Sequence, residues 1–151
     1  MMDIDEEKST LLVTFGLGEA WYGLAASQVQ EVILVADNTV VYHAPAYVRG
    51  IINLRGKIVT VLDLETKLGL PMRAERTEAG LSEERVLIVD WDHEQVGLLV
   101  ALVAEVINLN DEEIEPVPMN LSEGLSRFLS GVCGSEDRLI GILDLDKVLA
   151  E

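Results

Sequence analysis

The sequence predicts an all-β protein with short helices, built from two related units of about five strands each. Three observations predict this fold class. Short β-branched runs bounded by turn residues recur along the chain, a gap-free internal repeat divides it, and 49% of its 151 residues are hydrophobic. A chain of this size and composition can form one globular domain, or two small subdomains, with a real core. Short strands with regular turns favour small closed or nearly closed barrels over one open sheet.

The predicted elements follow the apolar runs in chain order. Strands are predicted at residues 10–17, 20–24, 29–35, 39–42, 50–54, 57–62, 85–91, 95–100, 103–107, 131–133 and 138–143, with a short helical turn at 25–28. Asp63 and Asp144 each follow a strand and are placed to cap short helices that continue to Leu68 and Leu149. The polar residues 72–84 indicate a connecting loop.

Two gap-free matches relate the halves of the chain. Residues 11–33 superpose on 85–107, which places Gly23 on Gly97 and Glu31 on Glu105. A second match places residues 50–64 on 131–145. Because the two matches occur in the same order, they predict a duplication of one β unit.

The duplication sets the predicted domain organisation. An acidic tail covers residues 1–9, and the domain from 10 to 151 contains a first barrel at about 10–70, a linker at about 71–84 and a second barrel at about 85–151. Units this small have thin cores, so their facing apolar surfaces are expected to share burial. This prediction permits terminal segments of one barrel to cross into the other.

The hairpin at residues 50–62 carries the candidate recognition chemistry. Its turn is Arg55-Gly56, where glycine tolerates the positive φ of a tight turn. An arginine at a hairpin tip suits recognition of a carboxylate on a partner, and the alternative is a solvated turn residue. The second copy has Glu136-Asp137 at the same place, so arginine is not needed merely to close such a hairpin. On the strand at 29–35, Glu31 offers a charge beside apolar residues.

Composition and charge exclude several classes of function. A net charge of −16 repels nucleic acid and anionic lipid, since affinity for both depends on lysine and arginine. No apolar run approaches the roughly 20 residues needed to span a bilayer. The acidic N-terminus is unlike a signal peptide, and the single cysteine, Cys133, agrees with a reducing compartment, so a cytoplasmic protein with protein partners is expected.

Evidence for catalysis is thin. His43 and His93 belong to no metal-binding spacing, and the sequence has no P-loop, no nucleophile elbow and no dinucleotide-binding glycine motif. Asp63 and Asp144 could pair for acid–base chemistry, but capping explains both. A binding module without cofactor or metal is therefore favoured over an enzyme.

The stretch from Val48 to Leu64, VRGIINLRGKIVTVLDL, resembles the signature of the CheW family of chemotaxis coupling proteins. Ordered matches at residues 29–32, Pro45, 97–100, 131–132 and 138–149 extend the resemblance over nearly the whole chain. It implies two SH3-like five-stranded barrels packed on a shared hydrophobic core. It also implies a non-enzymatic adaptor that bridges the signalling tips of methyl-accepting chemoreceptors to the regulatory domain of a CheA-type histidine kinase, with other CheW-like domains as possible neighbours in array rings.

The resemblance also assigns candidate partner-binding residues. The set is Val29, Glu31, Arg49, Asn53, Leu54, Arg55 and Gly56. An adaptor of the same fold in pilus motility or second-messenger control is the alternative. Two departures from the family pattern stand in the sequence: Ala101 replaces a frequent aspartate, and Thr60 replaces a frequent proline.

Overall fold

The computed structural model describes residues 9–34, 42–71, 83–121 and 123–150 as ten strands joined by short turns and helices. The strands are β1 (Ser9–Leu17), β2 (Ala20–Ala25), β3 (Val29–Leu34), β4 (Val48–Leu54), β5 (Lys57–Asp63), β6 (Arg85–Trp91), β7 (Glu94–Val100), β8 (Leu102–Asn110), β9 (Leu129–Ser135) and β10 (Arg138–Leu143). The helices are α1 (Leu64–Lys67), α2 (Glu123–Ser126) and α3 (Leu145–Leu149), and two 3-10 turns cover Ala26–Gln28 and Asp111–Glu113.

The predicted all-β class and strand order are confirmed over the described residues. Three predictions lie wholly or mostly outside them: the acidic tail at 1–9, the linker at 71–84 and the strand at 39–42. Of that last segment only Tyr42 is described, in a turn.

The strands form two five-stranded sheets, each curled around its own apolar cluster. One sheet has the order β8-β1-β2-β10-β9 and is called barrel A here. The other has the order β3-β6-β7-β5-β4 and is called barrel B. The central pairs β2–β10 and β5–β7 are parallel, whereas the other neighbours are antiparallel.

This topology corrects the predicted barrel boundaries of residues 10–70 and 85–151. Barrel A takes its first two strands from the N-terminal half and its other three from the C-terminal half, and barrel B does the reverse. The segments that cross between the barrels are the complete hairpins β1–β2 and β6–β7, and not merely the terminal residues of the chain. The physical reason is that each copy turns at a 3-10 turn or loop after its second strand, and its third strand then pairs with the partner copy.

The registers repeat with the predicted correspondence. Leu12 pairs with Ala25 in barrel A, and Val86 pairs with Leu99 at the equivalent place in barrel B. The parallel pairs also agree, because Gly141 opposes Tyr22 where Thr60 opposes Val96. Each copy therefore folds in the same way and exchanges the same strands, which confirms the duplication.

The largest apolar cluster lies between the two barrels. It is built from both halves of the chain and includes Phe15, Leu17, Leu64, Leu87, Leu98, Phe128 and Val148, all 0–2% exposed. Burial of apolar surface at roughly 25 cal/mol per Å² is the main term that stabilises such a fold. The predicted sharing of burial between the two units is thus present in the structure.

Helix capping fixes the chain where each barrel ends. The Asp63 carboxylate accepts hydrogen bonds from the backbone N–H groups of Glu65 and Thr66, and the Asp144 carboxylate accepts one from Lys147. Glu65, only 1% exposed, accepts a 2.7 Å hydrogen bond from the N–H of Gly18 and so ties α1 to the β1–β2 turn of the other barrel.

Candidate partner-binding site

The candidate site lies where the two edge strands of barrel B meet. Strand β3 carries Glu31, and the β4–β5 turn carries Arg55. Arg55 and Gly56 both have positive φ, of 53° and 86°. The Asn53 side-chain oxygen accepts a 2.8 Å hydrogen bond from the Gly56 N–H, which holds the turn in this conformation. The backbone therefore fixes the direction in which Arg55 leaves the hairpin.

Arg55 and Glu31 form a bidentate ion pair. Both guanidinium NH₂ groups donate to the two carboxylate oxygens at 2.6 Å. The Arg55 side chain is 68% exposed and that of Glu31 is 27% exposed. The hydrogen bonds from Arg55 hold the pKa of Glu31 below its usual range, and those to Glu31 raise the pKa of Arg55. Both groups are therefore charged at neutral pH, and the pair bridges the two edges of the sheet.

Exposed apolar side chains lie on β3, which carries Glu31, and on β5, which follows the Arg55 turn. Val32 and Leu34 alternate outward along β3, and Ile58 projects from β5 with 68% of its surface exposed. Charged groups combined with exposed apolar side chains are common in protein interfaces, where apolar burial supplies affinity and charge sets register.

The structure brings only part of the predicted site together. Glu31, Asn53, Arg55 and Gly56 meet at the hairpin tip. Leu54 is half-buried and packs on the core of barrel B. Arg49 is exposed near the other end of β4, about 20 Å from the tip at the usual rise per residue.

Val29 is also separated from the tip. A register shift falls between Val29 and Glu31, and Val29 packs partly buried against the cluster between the barrels. The simple strand alternation that places both side chains on one face is thus interrupted by a bulge. The sequence reasoning did not include Ile58, Val32 or Leu34, although the β-branched alternation of β3 was a usable signal.

Barrel A has no equivalent of this ion pair among its described residues. The positions that match Glu31 and Arg55 are Glu105 and Glu136, both acidic and exposed. The cation of that hairpin is Arg138, and its guanidinium carbon lies 3.9 Å from the centroid of the Trp21 ring instead of near an acidic partner. The bidentate pair is therefore a property of barrel B and not of the shared framework.

The two departures from the family pattern fit the fold. Ala101 is buried at the β7–β8 junction, where its N–H donates a 3.1 Å hydrogen bond to the Gly16 carbonyl. Thr60 is exposed on β5 and lies between β4 and β7, opposite Ile51 and Val96. A threonine at this central strand keeps the backbone donor that a proline would remove.

The candidate catalytic residues have structural positions. Asp63 and Asp144 cap α1 and α3, so the capping prediction is confirmed for both. His43 and His93 are exposed turn residues with positive φ. Within the described ranges no group of three histidine, cysteine or acidic side chains could hold a metal ion. No helix of that same part of the chain is long and apolar enough to cross a membrane.

Comparison with known proteins places this geometry in a family. The model of the CheW-like domain matches residues 11–151. The chemotaxis protein CheW of Rhizobium meliloti is 32% identical over 137 residues, which cover 91% of this chain and 85% of the relative. The CheW protein of Treponema pallidum is 29% identical and covers 99% and 86%.

A solved structure gives the same result in three dimensions. The crystal structure of the scaffolding protein TtCheW from Thermoanaerobacter tengcongensis superposes with a TM-score of 0.81 and is 32% identical, and the match covers 94% of this chain and 93% of that one. The fold of two SH3-like barrels and the family match agree throughout the described residues. This chain belongs to the CheW family.

Proposed function

We propose that this chain is a non-enzymatic chemotaxis adaptor that couples methyl-accepting chemoreceptors to a CheA-type histidine kinase. Its relatives are named chemotaxis proteins, and its structural neighbour is described as a scaffolding protein. These names support a chemotaxis pathway over pilus motility or second-messenger control. In this proposal the protein works in the cytoplasm and reaches receptor arrays through its partners.

The observation that carries the proposal is the Arg55–Glu31 pair, on strands that also carry exposed apolar side chains. Two hydrogen bonds join the pair and the hairpin turn orients Arg55, so binding requires little further ordering of these side chains. Ile58 on β5 and Val32 and Leu34 on β3 are exposed and provide apolar area for docking. We assign this face to the regulatory domain of the kinase, and the junction of the two barrels near Val29 to the helical tip of the receptor.

The role of the charges is to select the partner and its register. Arg55 is highly exposed, so a partner carboxylate can approach it without breaking the bond to Glu31. The net charge of −16 disfavours the binding of anionic partners to the rest of the molecule.

A binding assay with purified partners tests the proposal. The kinase regulatory domain and a receptor signalling-tip fragment are titrated separately against the full chain by isothermal calorimetry. Both are expected to bind, and Ile58→Asp and Arg55→Glu are expected to weaken kinase-domain binding about tenfold or more while receptor-tip binding persists.

The matched control is Leu139→Asp. Leu139 occupies the position equivalent to Ile58 in barrel A and is similarly exposed, at 63% against 68%. It should leave binding of the kinase domain unchanged. Absence of binding to both partners at micromolar concentrations would contradict the proposal. Equal losses of kinase-domain affinity for Ile58→Asp and Leu139→Asp would refute the assignment of the kinase to barrel B.

A further inference from the structure

Barrel A has a pocket at the end that lies away from its β9–β10 turn, and it is called the base pocket here. Its volume is about 360 Å³, and it is open to solvent. This volume is within the range of roughly 300–1,000 Å³ that is typical of ligand-binding clefts. Leu12 and Leu109, both buried in the apolar cluster of this barrel, line the pocket together with Ile142. The base pocket therefore offers apolar surface to a ligand.

Other lining residues supply hydrogen-bonding groups and one negative charge. The polar side chains are those of Thr10, Ser27, Gln28, Ser130 and Asp144, and none of the described lining residues is basic. Asp144 is half-buried, and its Oδ1 atom accepts a 3.3 Å hydrogen bond from the N–H of Lys147. Within the described part of the chain, its Oδ2 atom accepts no hydrogen bond. The carboxylate thus has acceptor capacity left for a ligand.

The duplication explains why this end of barrel A is open. Barrel B has larger side chains at three matching positions, with Glu84 for Thr10, Leu99 for Ala25 and Arg49 for Ser130. Glu84 and Leu99 are 8% and 2% exposed, so both occupy interior space in barrel B. The shorter residues of barrel A contribute the open volume of the base pocket. At the third position barrel B also carries a cation of its own, whereas barrel A has a hydroxyl.

We propose that the base pocket binds the side chain of an arginine that a protein partner presents. One carboxylate and several oxygen acceptors favour a cation with many donors, and a guanidinium has five N–H groups in a fixed plane. A guanidinium is also more weakly hydrated than an ammonium, so its partial burial costs less free energy. The aliphatic stem of the arginine packs on the apolar lining.

The surrounding charge is complementary to such a partner. Ile114 lines the base pocket, and its neighbours Glu113 and Glu115 are both exposed. Together with the net charge of −16, these carboxylates attract a basic segment before it docks. None of the described lining residues belongs to β3, β4 or β5, so the base pocket is distinct from the face assigned to the kinase. It adjoins the junction assigned to the receptor tip, because Gln28 directly precedes Val29.

A peptide titration observed by NMR tests this proposal on the full chain. The probe is the blocked peptide Gly-Ala-Arg-Ala-Gly, and the matched control replaces arginine by citrulline, which has nearly the same shape without the charge. The arginine peptide is expected to produce saturable shifts at the backbone amides of residues 27–28 and 142–144. Its dissociation constant should be on the order of 1 mM, because a single side chain makes the contacts, and the citrulline peptide should bind at least about tenfold more weakly.

Two pairs of variants separate a local effect from the net charge of the protein. Asp144→Asn removes the charge of the pocket but keeps a helix-capping residue, and Asp63→Asn makes the same change at the equivalent cap of barrel B. Ser130→Arg adds a guanidinium at the pocket from an exposed position, and Thr60→Arg adds the same charge on the exposed surface of barrel B. The first variant of each pair should weaken binding of the arginine peptide at least about tenfold, and the second should leave it within about twofold.

Four results would overturn the proposal. These are no saturable shift with the arginine peptide, equal affinity for the citrulline peptide, equal losses in Asp144→Asn and Asp63→Asn, or tighter binding of free arginine than of the peptide, which would indicate a small-molecule ligand. If Asp144→Asn does not fold, the comparison of Ser130→Arg with Thr60→Arg decides the outcome. The assay contains neither kinase nor receptor, so its result is independent of the proposed adaptor function.

Discussion

Barrels A and B share one framework and differ in their chemistry. The registers coincide pair by pair, and both copies have a capping aspartate after the last strand. At the hairpin tip, however, barrel B has a bidentate Arg55–Glu31 pair and barrel A has Glu136 and Glu105. The comparison teaches that the duplicated residues maintain the fold, whereas the residues that differ between the copies are candidates for recognition.

The largest expected effect concerns the exchange of strands. Fragments 1–71 and 83–151 should each fail to fold alone, because each lacks strands that complete both sheets. Expressed together they should associate and recover the native near-ultraviolet circular dichroism spectrum. A half-chain that folds cooperatively alone would contradict the exchanged topology.

The equivalent glycines Gly23 and Gly97 provide the next comparison. A Cβ on Gly97 would lie 2.8 Å from Val86 and 3.3 Å from Val61, whereas the three atoms nearest to a Cβ on Gly23 all belong to Leu12, the closest at 2.6 Å. Both alanine substitutions should destabilise by about 1–3 kcal/mol through overpacking. Gly97→Ala should cost more, because it crowds two stiff β-branched neighbours.

Urea denaturation of the two variants measures this difference, with Gly124→Ala as the control, since nothing lies within 4 Å of a Cβ added there. If Gly23→Ala proves the more destabilising of the pair, crowding by β-branched side chains is not the deciding factor.

Charge reversal at the hairpin tip should have a smaller effect on stability. Glu31→Arg alone places two cations together and should lower the melting temperature by a few degrees. The double variant Glu31→Arg with Arg55→Glu should restore it, because it again pairs a cation with an anion at these two positions. Thermal unfolding followed by circular dichroism measures both. A collapse of the fold in the single variant would show that the pair holds barrel B closed.

Installing the pair in barrel A should produce a slight gain. Glu136→Arg places an arginine at the position equivalent to Arg55, opposite Glu105, and should stabilise by about 0.5 kcal/mol at low salt. The gain should disappear in 0.5 M salt or in the Glu105→Gln background, with urea denaturation as the measurement. A gain that survives in the Glu105→Gln background would mean that no new ion pair forms.

The smallest expected effect is a pH dependence of barrel B. Because Arg55 lowers the pKa of Glu31 in the folded state, the pair's contribution is present above the unfolded value of about 4.3 and is lost as the pH falls through the lower folded value. The melting-temperature difference between wild type and Arg55→Gln should therefore be constant from about pH 6 upward and vanish in acid. A difference that grows on acidification would reverse the assigned sign.

Much of the fold was predictable because strands, turns and helix caps depend on short segments of the sequence, and the duplication repeats those segments. Strand positions, both helix-capping aspartates and the hairpin at Arg55-Gly56 follow from apolar patterning and turn chemistry. The barrel boundaries were not predictable, since pairing of β3 with β6 or of β1 with β8 depends on contacts between distant segments. Nothing in residues 10–70 alone distinguishes a self-contained barrel from one that exchanges strands.

The candidate site divides in the same way. The sequence by itself determined that Arg55 sits on a turn, that Glu31 lies on a strand, and that only the first copy has this combination, because residue type and turn propensity are properties of short segments. Only the tertiary structure decided that the two side chains meet. It also separated Val29 and Arg49 from them, because a bulge redirects one side chain and the length of β4 separates the other. Contact across a closed barrel depends on which edge strands are brought together, and this arrangement is set by the packing of both halves on their shared core.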